Sequence, residues 1–325
     1  GLLNLVTDYD VFNGDADGIC SLVQLRQIEP RDAVLITGIK RDITLLSQVK
    51  SGKGNRITVL DISMERNSTD LNRILDQGAT VFYVDHHNPG KVPASSSLIS
   101  IINESADVST SLLVNQYLRG ARVGWAIVGT FGDNLKKSAH LMTKDTSYSS
   151  GDIDKLEKLG IYINYNGYGS SLGDLHFSPQ DLYNLVLNYT DPLDFLLDGQ
   201  RHFEKLETGY LSDFASAQAV SPLRCNQFSA VYFLPDEPWA RRVSGVFSNR
   251  LANQHPTRAH AVVIEKSCGS YLVSVRAPLQ NKQGAGQLCG QFPSGGGREA
   301  AAGINDLPAN QLDYFIGKFE QTYRA

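Results

Sequence analysis

The sequence predicts an α/β protein in which a parallel-sheet domain is joined by a helical linker to a smaller α/β domain. Three observations carry this expectation. Apolar runs at Tyr9–Phe12, Ala33–Thr37, Ile57–Leu60 and Thr80–Val84 alternate with helix-like stretches, and such alternation builds a mostly parallel sheet with right-handed crossovers. Three of the runs break off into acidic or imidazole side chains: NGDADGIC (Asn13–Cys20) after the first, Asp61 after the third, and Asp85, His86 and His87 after the fourth. After a long polar stretch over Gln200–Ala217 the alternation resumes. Parallel strands end on one side of their sheet, and ligands of open α/β sheets bind beyond those carboxyl ends.

The stretch DGICSLVQLRQIEP places apolar residues at Ile19, Leu22, Val23 and Leu25 before a stop at Pro30, which predicts a helix. Ala33–Thr37 reads as a short strand and Arg41–Lys50 as a helix. Ser68 or Thr69 caps a helix that runs through Asp76 and ends at Gly78. Val108–Leu118 predicts a helix capped by Ser109, and the apolar segment Val123–Phe131 releases Asp133 at its end. Lys144–Asp152 reads as a polar loop and Ile153–Leu159 as a helix. Ile163–Asp174 is a connection rich in Asn, Tyr and Gly, whose Tyr165 and Tyr168 are expected to pack over a sheet edge, with base stacking the rarer use. Ser178 and Pro179 open a helix, another begins at Thr190 or Asp191, and Gln200–Ala217 is a long polar helix. Beyond Pro222 come a strand at Ala230–Leu234, a helix at Trp239–Gln254, strands at Ala259–Ile264 and Tyr271–Arg276, the glycine-rich Pro293–Gly303 and a last helix over Asn310–Tyr323. Trp125 and Trp239 lie in helical apolar patterns and are expected in the core.

Composition narrows the function. A chain of 325 residues with 42% hydrophobic content suits two ordinary domains, and no stretch is apolar enough to span a membrane. The opening GLLNLVTDYD lacks a basic region followed by a long apolar core, so no secretory signal is expected and the cytoplasm is the default location. Four scattered cysteines without a CxxC read as reduced thiols. A net charge of −4 argues against a long nucleic-acid partner, which requires a basic stripe, but is compatible with a short anionic ligand.

The strand ends carry the chemistry. Asp15, Asp17, Asp61 and Asp133, with Asp85 nearby, would gather carboxylates at one sheet edge, where like charges raise one another's pKa and cannot all ionise unaided. Divalent cations resolve that conflict, and carboxylates joined by His86 suit Mn²⁺ or Mg²⁺. So many ligands predict two ions, separated by roughly 3.5–4 Å and holding a hydroxide against phosphorus. Asp61, alone on its strand end, is the expected bridging ligand. Far downstream, SGGGREAAAGI (Ser294–Ile304) offers the backbone N–H groups of Gly295, Gly296 and Gly297 to an anion, with Arg298 to pair a phosphate. Arg276, at the end of a strand before Pro278, is a candidate for the same anion. A flexible turn and a surface arginine are the competing readings of these two features.

Together these residues resemble a known family. DADG, LDIS, VDHH and the Asp133 segment are similar to the four motifs of the DHH phosphoesterases, and SVR with GGGREAAAG resembles the substrate-binding DHHA1 domain. The resemblance runs in order from near residue 9 to near residue 303. It implies a DHH metal-binding catalytic domain over 1–198 with a helical part at 140–198, a linker helix over 199–225, a DHHA1 substrate-binding domain over 226–325, and an active site in the cleft between the domains. It makes Asp15, Asp17, Asp61, His86 and Asp133 the metal ligands. His87 would contact the scissile phosphate or help the leaving oxygen, and Asp85 would orient a histidine. Two positions depart from the family pattern. The first motif usually offers a further ligand, a histidine where this chain has Val11 or an aspartate where it has Asn13, and Asn13 could bind only through its carbonyl oxygen. The family's GGGHxxAAG has histidine where this chain has Arg298.

The activity implied is a manganese-dependent phosphodiesterase that cleaves short linear 5′-phosphorylated oligonucleotides, dinucleotides such as pGpG above all, into mononucleotides. The long exonucleases of that family carry a further nucleic-acid-binding domain, for which this chain leaves no room. Removal of the 3′-phosphate from adenosine bisphosphate and single-strand exonuclease activity are the alternatives within the family; a metal-poor nucleotide sensor is the alternative of another class. The sequence leaves a homodimer open.

Overall fold

The computed structural model describes residues 6–50 and 52–324; residues 1–5, part of the opening in which no secretory signal is expected, lie outside the described residues. The chain forms two compact units, Gly1–Gly167 with Leu175–Leu206, and Tyr168–Asp174 with Glu207–Ala325. None of the described helices is long and apolar enough to cross a membrane.

In the first unit, the chain runs β1 (Tyr9–Phe12), α1 (Ala16–Ile28), β2 (Val34–Ile36), β3 (Arg56–Leu60), α2 (Ser68–Asp76), β4 (Thr80–Asp85) and β5 (Leu98–Ile102). It continues through α3 (Thr110–Tyr117), α4 (Val123–Gly132), α5 (Lys136–Thr143), α6 (Ser150–Asn166), α7 (Pro179–Val186), α8 (Pro192–Asp198) and the start of α9 (Gln200–Gln218). The five strands pair in the order β2-β1-β3-β4-β5, all parallel. Period-two alternation divides the strand side chains between two cores. Val11, Val59 and Tyr83 pack with Leu46, Leu71 and Ile74, whereas Phe12, Leu60 and Val84 pack with Leu22, Trp125, Ile163 and Phe195. Both faces of the sheet are therefore covered, which is why its central strands read as continuous apolar runs.

The two buried faces account for most of the agreement with the sequence, and the departures lie where burial is partial. The helix expected over Arg41–Lys50 is only a single 3₁₀ turn, Leu45–Gln48. Asp42 competes with it: its carboxylate accepts from Ile39 N–H at 3.2 Å and its own N–H donates to the Ile39 carbonyl at 2.9 Å, which fixes the preceding residues as a turn. Strand β5, unforeseen, is a half-exposed edge strand, and α5 is a polar helix without a side-chain cap. Helix α6 runs past Leu159 to Asn166 from a capping box of Ser149 and Asp152, so part of the supposed connection is helical. Trp125 is fully buried and donates from Nε1 to the Tyr189 carbonyl at 2.8 Å.

The second unit contains β6 (Arg224–Cys225), β7 (Ser229–Leu234), α10 (Pro238–Gln254), β8 (Ala259–Glu265), β9 (Tyr271–Arg276), α11 (Ala285–Gly290), β10 (Gly295–Gly297), β11 (Ala301–Leu307) and α12 (Leu312–Thr322). Its sheet has the order β10-β11-β9-β8-β7-β6, and only β7 and β8 are parallel, as the intervening helix α10 requires. Val263, Val273, Ile304, Phe315 and Phe319 lie in its core. Trp239, by contrast with the expectation, is only half-buried. The short segment Tyr168–Asp174 belongs to this unit: Arg241 pairs with the Asp174 carboxylate through Nε at 2.9 Å and Nη2 at 3.1 Å.

One buried ion pair underlies the first sheet. Arg26 on α1 grips Asp10 on β1 through Nε at 2.8 Å and Nη2 at 2.7 Å, and Nη2 also donates to Thr58 Oγ1 at 2.9 Å. Both charged side chains are almost wholly inaccessible. Asp10→Ala should therefore destabilise the protein by about 3–5 kcal/mol by stranding the guanidinium, whereas Asp10→Leu combined with Arg26→Met should recover most of that loss. Urea denaturation of the three proteins measures both effects, and a single variant as stable as the double one would contradict the assignment.

Candidate functional site

Strand order determines where chemistry can gather. The chain leaves β1 toward β2 on one side and later builds β3 on the other side of β1, so β1 and β3 flank a topological switch point, and their carboxyl ends open a crevice. Asn13, Asp15 and Asp17 follow β1, Asp61 follows β3, and Asp85, His86 and His87 close the neighbouring β4. Asp61 has φ +64°, a left-handed conformation that aspartate tolerates better than most residues. Asp133 caps the C-terminus of α4.

The structure brings Asp17, Asp61, His86 and Asp133 together. His86 Nδ1 lies 2.8 Å from the Val108 carbonyl and donates to it, which leaves the Nε2 lone pair pointing at Asp61 Oδ1, 3.1 Å away, and Asp17 Oδ2, 3.6 Å away. Asp133 Oδ2 is 3.8 Å from the same imidazole. Two overlapping sets, Asp17–His86–Asp133 and Asp61–Asp85–His86–His87, each offer ligand atoms within 4.8 Å of one another. Asp85 is fully buried; its Oδ1 accepts from His87 Nδ1 at 2.6 Å, while its Oδ2 has no hydrogen-bond partner. An oriented imidazole lone pair, clustered carboxylates and an orphaned buried oxygen together fit a hard divalent cation.

Electrostatics lead to the same conclusion. Burial, and then the charges of Asp133 and Asp15, push the Asp17 carboxyl up to about 7. Burial and the neighbouring Asp17 and Asp15 charges push Asp61 well above the usual carboxylate range. Asp15 goes the other way: burial would raise it, but the adjacent Lys40 ammonium and the Gly18 N–H hold it below its ordinary value.

Sequence reasoning missed three supporting residues. Thr110 donates from Oγ1 to Asp61 Oδ1 at 2.9 Å, and the N–H groups of Thr110 and Ser111 donate to the Asp17 carboxylate at 3.0 and 2.7 Å. These are unpaired donors of the first turn of α3, and the Ser109 cap marked their position in the sequence. The third is Lys40, whose Nζ is 2.6 Å from Asp15 Oδ2. Asn13 serves as scaffold here: its Oδ1 accepts from Asp15 N–H and its Nδ2 donates to the Lys40 carbonyl, both at 3.0 Å.

In the second unit, Arg276 and the glycine strand lie at one end of the sheet. Arg276 pairs in register with Ala301, and the Arg298–Ala301 turn is closed by an Arg298 N–H to Ala301 carbonyl bond of 3.0 Å. Arg276 is buried, donating to Asn249 Oδ1 at 2.8 Å and to Tyr168 Oη at 3.4 Å. Arg298 is half-buried. Packing alone demands two of the three glycines: a Cβ on Gly295 would lie 1.8 Å from the Cys289 carbonyl oxygen, and one on Gly297 would lie 2.6 Å from Ala302 Cα. Gly296 is half-buried between them. Both tyrosines of the YNGYG segment are buried. Tyr165 is buried in α6 with its hydroxyl 2.8 Å from His176 Nε2, and the Tyr168 ring lies against the backbone of Gly245.

No family model and no curated protein sequence matches the chain. Solved structures do. A DHH domain described as a member of the s1p family of ribosomal proteins aligns over 97% of this chain and 86% of its own at a TM-score of 0.67 and 12% identity. Exonuclease RecJ bound to manganese aligns over 98% and 90% at a TM-score of 0.59 and 16% identity. PggH of Vibrio cholerae, a pGpG-specific phosphodiesterase, aligns over 97% and 98% at a TM-score of 0.51 and 14% identity. With its aspartates and paired histidines gathered at the strand ends and its whole length superposing on these structures, the chain has the DHH fold.

Proposed function

We propose that the chain is a divalent-metal-dependent phosphodiesterase of the cytoplasm that hydrolyses short linear 5′-phosphorylated oligonucleotides, dinucleotides such as pGpG foremost, to mononucleotides. The observation that carries this reading is the His86 Nε2 lone pair aimed at the Asp61 and Asp17 carboxylates. A divalent ion held there, Mn²⁺ as in the RecJ structure or Mg²⁺, supplies positive charge to phosphate oxygens and a water acidic enough to attack phosphorus at neutral pH. Asp17, Asp61, His86 and Asp133 would hold it, with Thr110 and Ser111 fixing the carboxylates. Asp85 orients His87 through Nδ1, and His87 is assigned to hold or release a proton at the oxygen that departs from phosphorus. The short substrate is supported by the net charge of −4 and by the fold shared with a pGpG-specific phosphodiesterase. Arg276 and Arg298 are assigned to the terminal phosphate.

Turnover of pGpG, GpG, longer single strands and adenosine 3′,5′-bisphosphate with Mn²⁺ tests the substrate class, and the expected order places pGpG first. Release of phosphate from the bisphosphate alone would replace the diesterase reading with a phosphatase. Asp61→Asn keeps a residue that accepts the left-handed backbone, yet it removes a ligand charge. The loss of activity should exceed the roughly 10–100-fold that removal of an outer partner costs, with bound Mn²⁺ reduced and the fold intact by circular dichroism. Undiminished turnover would take Asp61 out of the site.

Arg298→Ala tests recognition of the chain end. A charge-assisted contact to phosphate contributes on the order of 1.5–3 kcal/mol, so kcat/KM for pGpG should fall roughly tenfold to a hundredfold. GpG and a nitrophenyl phosphodiester, which lack the terminal phosphate, should barely change. An equal loss on all three would place Arg298 in structural or catalytic machinery instead.

A further inference from the structure

We infer that Lys40 takes the place of one of the two cations expected from the sequence, so that the chain binds a single divalent ion at the Asp17–Asp61–His86 set and carries its other positive charge as a fixed ammonium. The inference rests on the metal-dependent reading and makes a separate claim about the number of ions.

Each oxygen of the Asp15 carboxylate already accepts a hydrogen bond, and the side chain also meets Asp61. Asp15 Oδ1 accepts from Gly18 N–H at 2.9 Å and Asp15 Oδ2 from Lys40 Nζ at 2.6 Å. The two ligand sets that converge around His86 among the described residues are formed without Asp15. Nor is Lys40 a wandering surface lysine that meets an acid by chance. Its N–H donates to the Gly167 carbonyl at 2.8 Å, and its carbonyl accepts from Asn13 Nδ2 at 3.0 Å, so the backbone beneath the side chain is fixed from two directions. The loop carrying it presses on the loop after β1 so closely that a Cβ on Gly14 would lie 1.8 Å from the Gly38 carbonyl oxygen.

Asn13 links the two changes. An aspartate there would add an anion beside Asp15, but it would also set a carboxylate oxygen against the Lys40 carbonyl. The asparagine amide instead supplies the donor that holds Lys40 and withholds the negative charge. One carboxylate is thus missing from the position where one cation is gained, and an ammonium beside Asp15 repels any divalent ion approaching that carboxylate.

The experiment is an Mn²⁺ titration of the full chain by calorimetry, with metal analysis after desalting, on wild type, Lys40→Met and Lys40→Gln. Wild type should take up one Mn²⁺ per chain. Both variants should take up two, and the spin–spin coupling of a manganese pair should appear in their electron paramagnetic resonance spectra and be missing from the wild-type spectrum. Two ions in wild type, or one ion in all three folded proteins, would overturn the inference and leave the metal-dependent reading standing. A wild-type chain that takes up none would overturn both. Thermal melts verify the fold of the variants, and if neither folds the wild-type count alone decides.

Discussion

The structure depends on concentrated negative charge at the switch point of a parallel sheet. Asp15, Asp17, Asp61 and Asp85 are all buried, and carboxylates packed that tightly in a low-dielectric setting cannot coexist as anions without compensation. The protein supplies part of it through the N–H groups at the start of α3, the Thr110 hydroxyl and the Lys40 ammonium. The carboxylates converge around His86 Nε2, where a divalent ion would be stabilised most. Stability and ion binding would therefore compete at the same atoms, and the buried sheet lies between two apolar cores.

Much of this was legible in the sequence because strand ends are marked twice, once by the apolar run and once by the abrupt change to Asp or His. The positions after β1, β3 and β4 were fixed on that basis, and so was Asp133 beyond the most apolar helix. Residues that act through the backbone or from a neighbouring loop carry no such mark. Lys40 is one lysine in a polar turn, and only the pairing of β1 with β2 brings its loop against Asp15. The N–H groups of Thr110 and Ser111 were hidden for a different reason: backbone donors do not depend on side-chain identity, so only the cap at Ser109 betrayed them. The false helix over Arg41–Lys50 had an apolar pattern, but Asp42 turned it into a turn.

The glycine strand of the second unit shows how a motif can carry two meanings. Gly295 and Gly297 are glycine because a neighbouring carbonyl and Cα leave no space for a Cβ, which packing explains without reference to a ligand. The sequence could not separate that requirement from close approach to an anion, since both remove the same atom. Arg276 is similar, being held by Asn249 and Tyr168 rather than extended from the surface. A guanidinium anchored this way offers a fixed direction to any anion it meets, in contrast to a mobile arginine that must be ordered on binding.

The segment Tyr168–Asp174 alters how the chain could be taken apart. The second unit draws seven residues from the middle of the sequence, between two stretches that belong to the first. A fragment beginning at residue 207 would lose Tyr168 from Arg276, and Arg241 would keep Asp236 but lose Asp174. The second unit is thus not one continuous piece of polypeptide. Dissection at a single linker would leave one half without a strip of its own structure, so gene fusion or fragment expression would have to respect three crossings of the boundary rather than one.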